Sequence, residues 1–357
     1  MTVRVLVTGA SSLIGDGVVR SLAARGDEVV CLQRSPVAAL AALDGVEQQR
    51  GDIRDQAAVD RATQGCNGVI HLAAKVGVVG ESDEFLSINV EGTRNLLAAA
   101  VNSSITRFVH VSSPSVAHGG EAIMGDAATP PVTGRTRAWY AESKAIAESM
   151  ALEANGPQLG VVVIRPHLVW GPGDTQLVGR IVERARQGRL ALVGGGRALV
   201  DTTYIDNAVS ALLAALDAVG PGATCAGRAY VIANGEPRPI RDLVAGICAA
   251  AGVTFEPRDV PLDTARTIGA LLERAWPKLP NRLRQGEVEP PLTRFVAEQL
   301  GTAHWFDPRP AALDLDWAPT VSIDDGLERL ATWFRENSSS TSSGRYRHSE
   351  WRRGRVV

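Results

Sequence analysis

Tyr140 and Lys144 are the residues whose types and spacing most directly indicate chemistry. They lie four positions apart in the stretch 139–144, and positions i and i+4 share one face of an α-helix. A free phenol has a pKa of about 10, and a fixed ammonium nearby lowers it toward the pH at which a phenol exchanges protons with a hydroxyl or carbonyl group. Because Tyr-x-x-x-Lys also occurs on ordinary solvated helix faces, the pair needs support from the rest of the chain.

A glycine-containing turn near the start of the chain predicts a dinucleotide-binding loop. A β-branched apolar run at 3–7 leads through this turn into an amphipathic helix that should end near Arg25, with Gly26 as its stop signal. Glycine at the first position permits a tight turn, and glycine at the last lets helix and strand approach, while Ser12 replaces the usual middle glycine. The expected cofactor contacts of this loop are Gly9, Ser11, Ser12, Leu13, Ile14 and Gly15.

Strand and helix patterns alternate along most of the chain. This alternation, with short Gly-rich or polar turns, predicts an α/β fold with a doubly wound parallel sheet and a smaller, mostly C-terminal lobe. The expected strands are 3–7, 28–32, 48–53, 68–72, 107–112, 161–165, 190–193, 199–204 and 229–232. The expected helices are 13–25, 56–64, 83–102, 138–155, 177–187, 207–219, 240–251, 264–276, 292–300 and 324–335.

Composition excludes several classes of function. The formal net charge of −2 gives no overall electrostatic attraction for nucleic acid. The four cysteines show no C-x-x-C spacing, and no two histidines have a metal-binding spacing, so we expect no metal. Without a signal-peptide pattern or an apolar run of about 18 residues, we expect a cytoplasmic protein with no transmembrane segment.

The end of the second expected strand bears on the choice of cofactor. It runs into Gln33-Arg34-Ser35, where an acidic residue would hold the free 2′-hydroxyl of NADH. An arginine at this edge suits a 2′-phosphate, so Arg34 favours NADPH, with NADH as the second choice.

Seven short motifs follow one another along the chain: Thr8-Gly9 with Gly15, Gly51-Asp52, His71-Leu72-Ala73-Ala74, Asn89-Val90-x-Gly92-Thr93-x-Asn95, Val111-Ser112-Ser113, Tyr140 with Lys144, and Arg165-Pro166 with Val169-Trp170-Gly171-Pro172-Gly173. In this order they resemble the extended short-chain dehydrogenases/reductases, over nearly everything from Val3 to about Arg335. Within that superfamily the chain is similar to the 3β-hydroxysteroid dehydrogenase branch. Through residues 166–174, 201–207, 234–237 and 289–295 it is most similar to the members of that branch in bacterial long-chain olefin biosynthesis.

The resemblance assigns roles to particular residues. It implies that Tyr140 is the acid/base, that Lys144 binds the nicotinamide ribose and lowers the Tyr140 pKa, and that Ser113 rather than Ser112 holds the substrate oxygen. For Asn89 it implies support of the active site, and the alternative is a buried amide with satisfied hydrogen bonds. Further cofactor contacts implied in this way are Asp52 and Ile53 beside adenine, Ala73 and Ala74 beside the ribose, and Pro166.

The substrate is less well defined by the residues. Apolar runs at 268–272 and 295–297 suit either a tunnel for alkyl or sterol bodies or the small lobe's own core. The resemblance implies a 3-oxo acid carrying two alkyl chains, reduced to the hydroxy acid. The expected substrate contacts are His167, just after a strand end, and Arg294, as a partner for the carboxylate.

Other activities remain as alternatives: an NAD-dependent 3β-hydroxysteroid dehydrogenase, a sugar-nucleotide epimerase, or a non-catalytic cofactor-binding scaffold or sensor. Ser113-Pro114-Ser115 stands where dehydratases of this superfamily carry an Asp-Glu pair, which disfavours dehydration.

The expected organisation is a dinucleotide-binding domain at 1–170, interleaved with about 199–235, then a substrate lobe at 171–336 and a disordered basic tail at 337–357. We expect a homodimer and possible assembly with other enzymes of the same pathway.

Overall fold

The computed structural model describes residues 3–77, 80–134, 138–279, 290 and 292–339. Its largest element is a seven-stranded, all-parallel sheet with the order β12-β7-β5-β4-β1-β2-β3. The strands are β1 Arg4–Thr8, β2 Glu28–Gln33, β3 Val46–Arg50, β4 Gly68–His71, β5 Arg107–Val111, β7 Gly160–Pro166 and β12 Arg228–Ile232.

Six of these seven strands are mostly buried runs of apolar residues, as a parallel sheet covered on both faces requires, and β3 at the edge is more exposed. The sheet therefore confirms the expected α/β doubly wound fold. The helices along the chain are α1 Leu13–Ala24, α2 Gln56–Thr63, α3 Ser82–Phe85, α4 Gly92–Asn102, α5 Trp139–Glu153, α6 Val178–Arg186, α7 Ile205–Ala218, α8 Ile240–Ala250, α9 Leu262–Ala275, α10 Arg294–Gly301, α11 Arg309–Leu315 and α12 Ile323–Ser339.

The order of strands reverses between β1 and β4. From β1 the chain moves outward to β2 and β3, and then returns to the other side of β1 to place β4, β5, β7 and β12. In open α/β sheets, ligands bind in the crevice at the carboxyl ends of the strands beside this reversal. The glycine turn after β1 and the segment after β4 both lie at that crevice.

Two hydrophobic cores cover the two faces of the sheet. One contains Val18 and Leu22 of α1 together with Leu212 and Leu216 of α7, and it also takes in Leu330 of α12. The other packs residues of α2 and α4 against the opposite face. All four cysteines are buried free thiols.

The remaining strands are short. They are β6 Ile123–Asp126, β8 Val169–Trp170, β9 Ala191–Val193, β10 Leu199–Val200, β11 Thr203–Tyr204, β13 Arg238–Pro239, β14 Arg258–Val260 and β15 His304–Phe306. Four of them form a second sheet with the order β13-β10-β15-β6. Three strands of this sheet, β6, β13 and β15, were not expected from the sequence, because strands of two to four residues whose partners lie far away in the chain carry too little periodicity to be recognised.

Two further expectations need correction. The single helix expected at 83–102 contains a π-helical turn at Leu86–Glu91 between α3 and α4. The strand expected at 199–204 is two strands in different sheets, β10 and β11.

The tail was expected to be disordered from residue 337 to residue 357. Residues 337–339 continue α12, and the rest of the tail lies outside the described residues.

None of the helices in the described ranges has the length and apolar character needed to cross a membrane.

Candidate active site

The turn after β1 brings helix α1 and the β4 segment unusually close together. Gly9 has a φ of +75°, and a Cβ at this position would lie 2.8 Å from the backbone nitrogen of Ala73. A Cβ on Gly15 would lie 2.1 Å from the Gly9 carbonyl oxygen. Both positions therefore require glycine, which leaves the backbone itself facing the crevice.

Ser12 explains why the middle glycine is dispensable. It is the N-cap of α1, and its hydroxyl accepts a hydrogen bond from the Gly15 amide (3.0 Å) and donates one to the Gly9 carbonyl (2.8 Å). The first-turn amides of a helix and its dipole favour a bound phosphate. The geometry of this loop thus fits a dinucleotide pyrophosphate, with Ser11, Leu13 and Ile14 at the same turn.

Positive charge collects at the end of β2, where the adenosine part of a cofactor would lie. Arg34 is exposed there. Hydrogen bonds from Arg54 hold the Asp52 pKa below its usual value, and the Arg34 charge adds a smaller effect in the same direction. Both Asp52 oxygens accept from the Arg54 guanidinium, at 3.0 and 2.8 Å. The expected contact between Asp52 and adenine therefore competes with Arg54, while Ile53 is buried beside it.

Tyr140 lies at the start of α5, and its hydroxyl shares a hydrogen bond with the Ser113 hydroxyl. Ser113 is the N-cap of a short 3-10 helix at Pro114–Ala117, where it also accepts a hydrogen bond from Ser115 Oγ at 2.9 Å. Ser112 points elsewhere: its hydroxyl is buried and lacks a hydrogen-bond partner among the described residues. Of the two adjacent serines, the structure brings Ser113 to Tyr140.

Lys144 is buried one turn further along α5. Its ammonium donates to the Val111 carbonyl at 2.6 Å and lies 3.5 Å from Nε2 of His110. Burial lowers the Lys144 pKa to about 8, and the Glu148 charge opposes that effect. Burial also raises the Tyr140 pKa, which the hydrogen bond to Ser113 partly offsets. The ammonium is turned toward the end of β5, and a lowering of the Tyr140 pKa by Lys144 stays a prediction.

Asn89 lies in the π-helical turn and connects three segments. Its Oδ1 accepts from the Lys75 amide (2.7 Å), and its Nδ2 donates to the Lys75 carbonyl (3.1 Å) and to Ser143 Oγ (2.9 Å). Ser143 in turn donates to the Tyr140 carbonyl at 3.0 Å. Asn89 is therefore a buried amide with satisfied hydrogen bonds, and those bonds fix the first turn of α5.

A second hydrogen-bonded chain connects Asn89 to the glycine turn. Thr93 Oγ1 donates to the Asn89 carbonyl (2.6 Å), so it accepts from His71 Nε2 (3.0 Å), which leaves His71 Nδ1 to accept from Thr8 Oγ1 (2.7 Å). Thr8 Oγ1 accepts from the Ala73 amide (3.2 Å). Burial lowers the His71 pKa to about 3, and the Lys144 charge adds to this, so the ring stays neutral as the chain of bonds requires.

Glu148 and Arg165 form an ion pair whose side chains are 0% and 1% exposed. Arg165 Nε donates to both Glu148 oxygens, at 3.2 and 3.0 Å, and Nη1 donates to the Thr129 carbonyl. The pair joins the middle of α5 to β7 just before Pro166. The sequence showed Glu148 four residues after Lys144, but its partner on a distant strand could not be identified from spacing.

His167 and Arg294, the two expected substrate contacts, differ in burial. His167 follows Pro166 at the end of β7 and is 5% exposed, with Nδ1 2.5 Å from the Asp201 carbonyl oxygen. Arg294 opens α10, is half-exposed, and lies 3.4 Å from the buried Glu298 carboxylate. Arg294 is thus already engaged by an acidic side chain, which makes it a weak partner for a substrate carboxylate.

Comparisons with known proteins agree with this geometry. A family model described as the 3-beta hydroxysteroid dehydrogenase/isomerase family matches residues 6–262. A 2-alkyl-3-oxoalkanoate reductase from Stenotrophomonas maltophilia is 47% identical over 337 residues, which cover 92% of this chain and 98% of that protein. A 3-beta-hydroxysteroid dehydrogenase from Mycolicibacterium neoaurum is 31% identical over 344 residues, which cover 93% of this chain and 90% of that protein.

Solved structures are similar over almost the whole chain. The UDP-glucuronic acid 4-epimerase from Bacillus cereus in complex with NAD has a TM-score of 0.70 at 20% identity, covering 94% of this chain and 99% of that one. A double mutant of the dTDP-glucose 4,6-dehydratase from Streptomyces venezuelae with NAD bound has a TM-score of 0.71 at 24% identity, covering 94% and 98%. At these identities the likeness shows the fold.

We predict that Asn89→Ala destabilises the protein by about 2–4 kcal/mol, because it leaves the buried Lys75 amide and carbonyl without their partner. Urea unfolding followed by circular dichroism measures the change. Asn102→Ala is the matched control, since Asn102 is exposed at the end of α4. Equal stability of the two variants would show that the Asn89 bonds do not hold the site together.

Proposed function

The chain belongs to the 3-beta hydroxysteroid dehydrogenase/isomerase family, and from that premise we propose that it is an NADPH-dependent 2-alkyl-3-oxoalkanoate reductase. It is an oxidoreductase of the extended short-chain type that uses a nicotinamide cofactor. The proposed reaction reduces a long-chain β-keto acid with an alkyl group at C2 to the 2-alkyl-3-hydroxyalkanoate. The 47% identity to the Stenotrophomonas maltophilia reductase, which extends over nearly both chains, supports this substrate class.

The observation that carries the chemistry is the hydrogen bond between Ser113 and Tyr140 at the carboxyl end of β5. Reduction of a ketone places negative charge on its oxygen, so two hydroxyl donors side by side stabilise the transition state. We assign Ser113 to orient the ketone oxygen and Tyr140 to deliver the proton to it. Burial raises the pKa of Tyr140, which keeps the phenol protonated until it is needed.

Lys144 and Asn89 act through Tyr140. The Lys144 ammonium, whose pKa burial lowers to about 8, is a buried cation on the turn of α5 that follows Tyr140. We assign it to the nicotinamide ribose and to the charge that develops on the phenol after proton transfer. Asn89 is a positioning residue because its amide holds Ser143, which bonds the Tyr140 carbonyl.

The cofactor proposal extends from the glycine turn to the end of β2. When bound, NADPH supplies the hydride. Arg34 is proposed to hold the 2′-phosphate, because it is an exposed guanidinium at the position where NAD-binding chains carry an acid. The residues proposed to contact the cofactor are Gly9, Ser11, Ser12, Leu13, Ile14, Gly15, Arg34, Asp52, Ile53, Ala73, Ala74, Tyr140, Lys144 and Pro166.

The small lobe offers apolar surface for the alkyl chains. Helices α9 and α10 pack closely through Gly269, where a Cβ would lie 2.5 Å from the Arg294 amide, and through the buried Ala265 and Ala297. Ile268 and Leu271 on α9 are 41% and 62% exposed. The apolar runs thus form part of the lobe's own core, and the exposed pair supports an apolar substrate.

The division into a dinucleotide-binding domain at 1–170 with 199–235, a lobe at 171–336 and a tail remains a proposal, as do a cytoplasmic location, a homodimer and assembly within one pathway. The Mycolicibacterium neoaurum relative makes a 3-oxo steroid the competing substrate to include in every assay.

We predict that Tyr140→Phe lowers the rate of β-keto acid reduction by about 10²–10⁴-fold, the usual contribution of general acid catalysis. Cofactor affinity, measured by nucleotide fluorescence, should change little, because Phe retains the ring. Trp139→Phe is the control, since Trp139 is its exposed neighbour on the same helix. Full activity of Tyr140→Phe would remove Tyr140 as the proton donor.

We predict that Arg34→Ala raises the KM for NADPH about 10- to 100-fold, because it removes charge-assisted hydrogen bonds to the 2′-phosphate. The KM for NADH should stay nearly constant. Arg61→Ala, which removes an exposed arginine from α2, is the control. A parallel loss with both cofactors, or none with either, would be inconsistent with this role.

A further inference from the structure

Three histidines from distant parts of the sequence meet between the large sheet and the small lobe. The ring centroids of His118 and His304 are 4.6 Å apart, and those of His167 and His304 are 6.2 Å apart. The side chains are 7%, 5% and 2% exposed for His118, His167 and His304. Phe295 and Phe306 pack against the edges of the cluster. We call these three residues the histidine cluster.

Two members of the cluster are close in sequence to the proposed catalytic groups or their strands. His118 follows directly after the 3-10 helix Pro114–Ala117, whose N-cap is Ser113. His167 follows directly after Pro166 at the end of β7, the strand that pairs with β5. His304 begins β15, which pairs with β10 and β6 in the four-stranded sheet. The cluster therefore joins the carboxyl end of the large sheet to the four-stranded sheet.

Hydrogen bonds fix which ring nitrogens carry hydrogen. His167 Nδ1 must donate to the Asp201 carbonyl, because a carbonyl only accepts. His304 Nε2 lies 3.4 Å from Thr302 Oγ1, whose own hydrogen goes to the Glu298 carbonyl, so Nε2 is the donor. This leaves the lone pair on His304 Nδ1, which is buried and has no hydrogen-bond partner among the residues that the structure describes.

The charges that act on His167 and His304 are those of other histidines. Burial lowers the pKa of His167 to about 4 and that of His304 to about 3, while backbone groups of Asp201 at His167, and of Gln299 and Thr302 at His304, oppose this shift. Nearby acids have other partners. Asp201 accepts from the Gly235 and Glu236 amides, Glu298 lies against Arg294, and Asp307 accepts from Arg309.

We propose that the histidine cluster is the subsite for the carboxyl group of the substrate. The proposal rests on the proposed function, since it concerns how a β-keto acid is held. In such an acid a single carbon separates the ketone from the carboxylate, so the group that binds the carboxylate must lie beside Ser113 and Tyr140. A bound carboxylate would place a negative charge beside His167 and His304. His304 Nδ1 takes a proton from solvent and donates it in a hydrogen bond to the carboxylate.

This subsite replaces Arg294 as the partner of the carboxylate. Arg294 lies against Glu298, whose side chain is only 3% exposed, and moving the guanidinium to a ligand would weaken the pairing of a buried acid. His304 Nδ1, by contrast, makes no hydrogen bond to any residue that the structure describes.

The test compares a 2-alkyl-3-oxoalkanoate with its methyl ester in the wild-type protein and in His304→Phe. In the wild type, kcat/KM for the acid should exceed that for the ester by about 10- to 100-fold, as expected for hydrogen bonds to a charged group. His304→Phe should lose most of that preference by slowing the acid, with the ester changed by less than about threefold. Met124→Leu, at an exposed position of β6, should keep the preference.

Equal kcat/KM values for the acid and the ester in the wild type would overturn the subsite. This comparison needs no variant, so the proposal can be tested even where His304→Phe does not fold. An unchanged preference in a folded His304→Phe protein also overturns it, and so does an equal loss for acid and ester. If the wild type reduces neither compound while it turns over a 3-oxo steroid, the proposed function itself fails, and the subsite fails with it.

Discussion

The buried amide of Asn89 is the constraint on which the geometry of the site depends. It bonds the backbone of Lys75 after β4 on one side and Ser143 on α5 on the other, so the catalytic helix and the cofactor crevice are fixed to each other. The π-helical turn at Leu86–Glu91 contains this residue. Such turns are rare and frequently occur at functional sites, which agrees with the place of Asn89 in this one.

The same network continues to the glycine turn through Thr93, His71 and Thr8 with a single consistent direction of donation. Each member is buried, so an error at one position would leave polar groups without partners throughout the chain of bonds. The buried Glu148–Arg165 pair adds a second connection from α5 to β7. Because burying two charges is costly, this pair is better explained by the positioning of α5 and the charge it places near Lys144 than by stability.

Prediction from sequence succeeded where local signals are strong. The buried apolar runs of β1, β5 and β7 and the helix stop at Gly26 are each encoded within a few consecutive residues, so they can be recognised without knowledge of the fold. Prediction failed where the information is not local. The four-stranded sheet joins β15 to strands about 100 and 180 residues earlier, and the histidine cluster depends on that pairing. The π-helical turn was hidden in a continuous helical pattern.

The central claim is that this chain transfers hydride from NADPH to the ketone of a 2-alkyl-3-oxoalkanoate. The most direct measurement is a single turnover with NADPH carrying deuterium at the transferable position, followed by mass spectrometry of the acid. The account predicts a 2-alkyl-3-hydroxyalkanoate with one deuterium on C3. A hydroxy acid without deuterium, or no reduction of the β-keto acid at all, would contradict it.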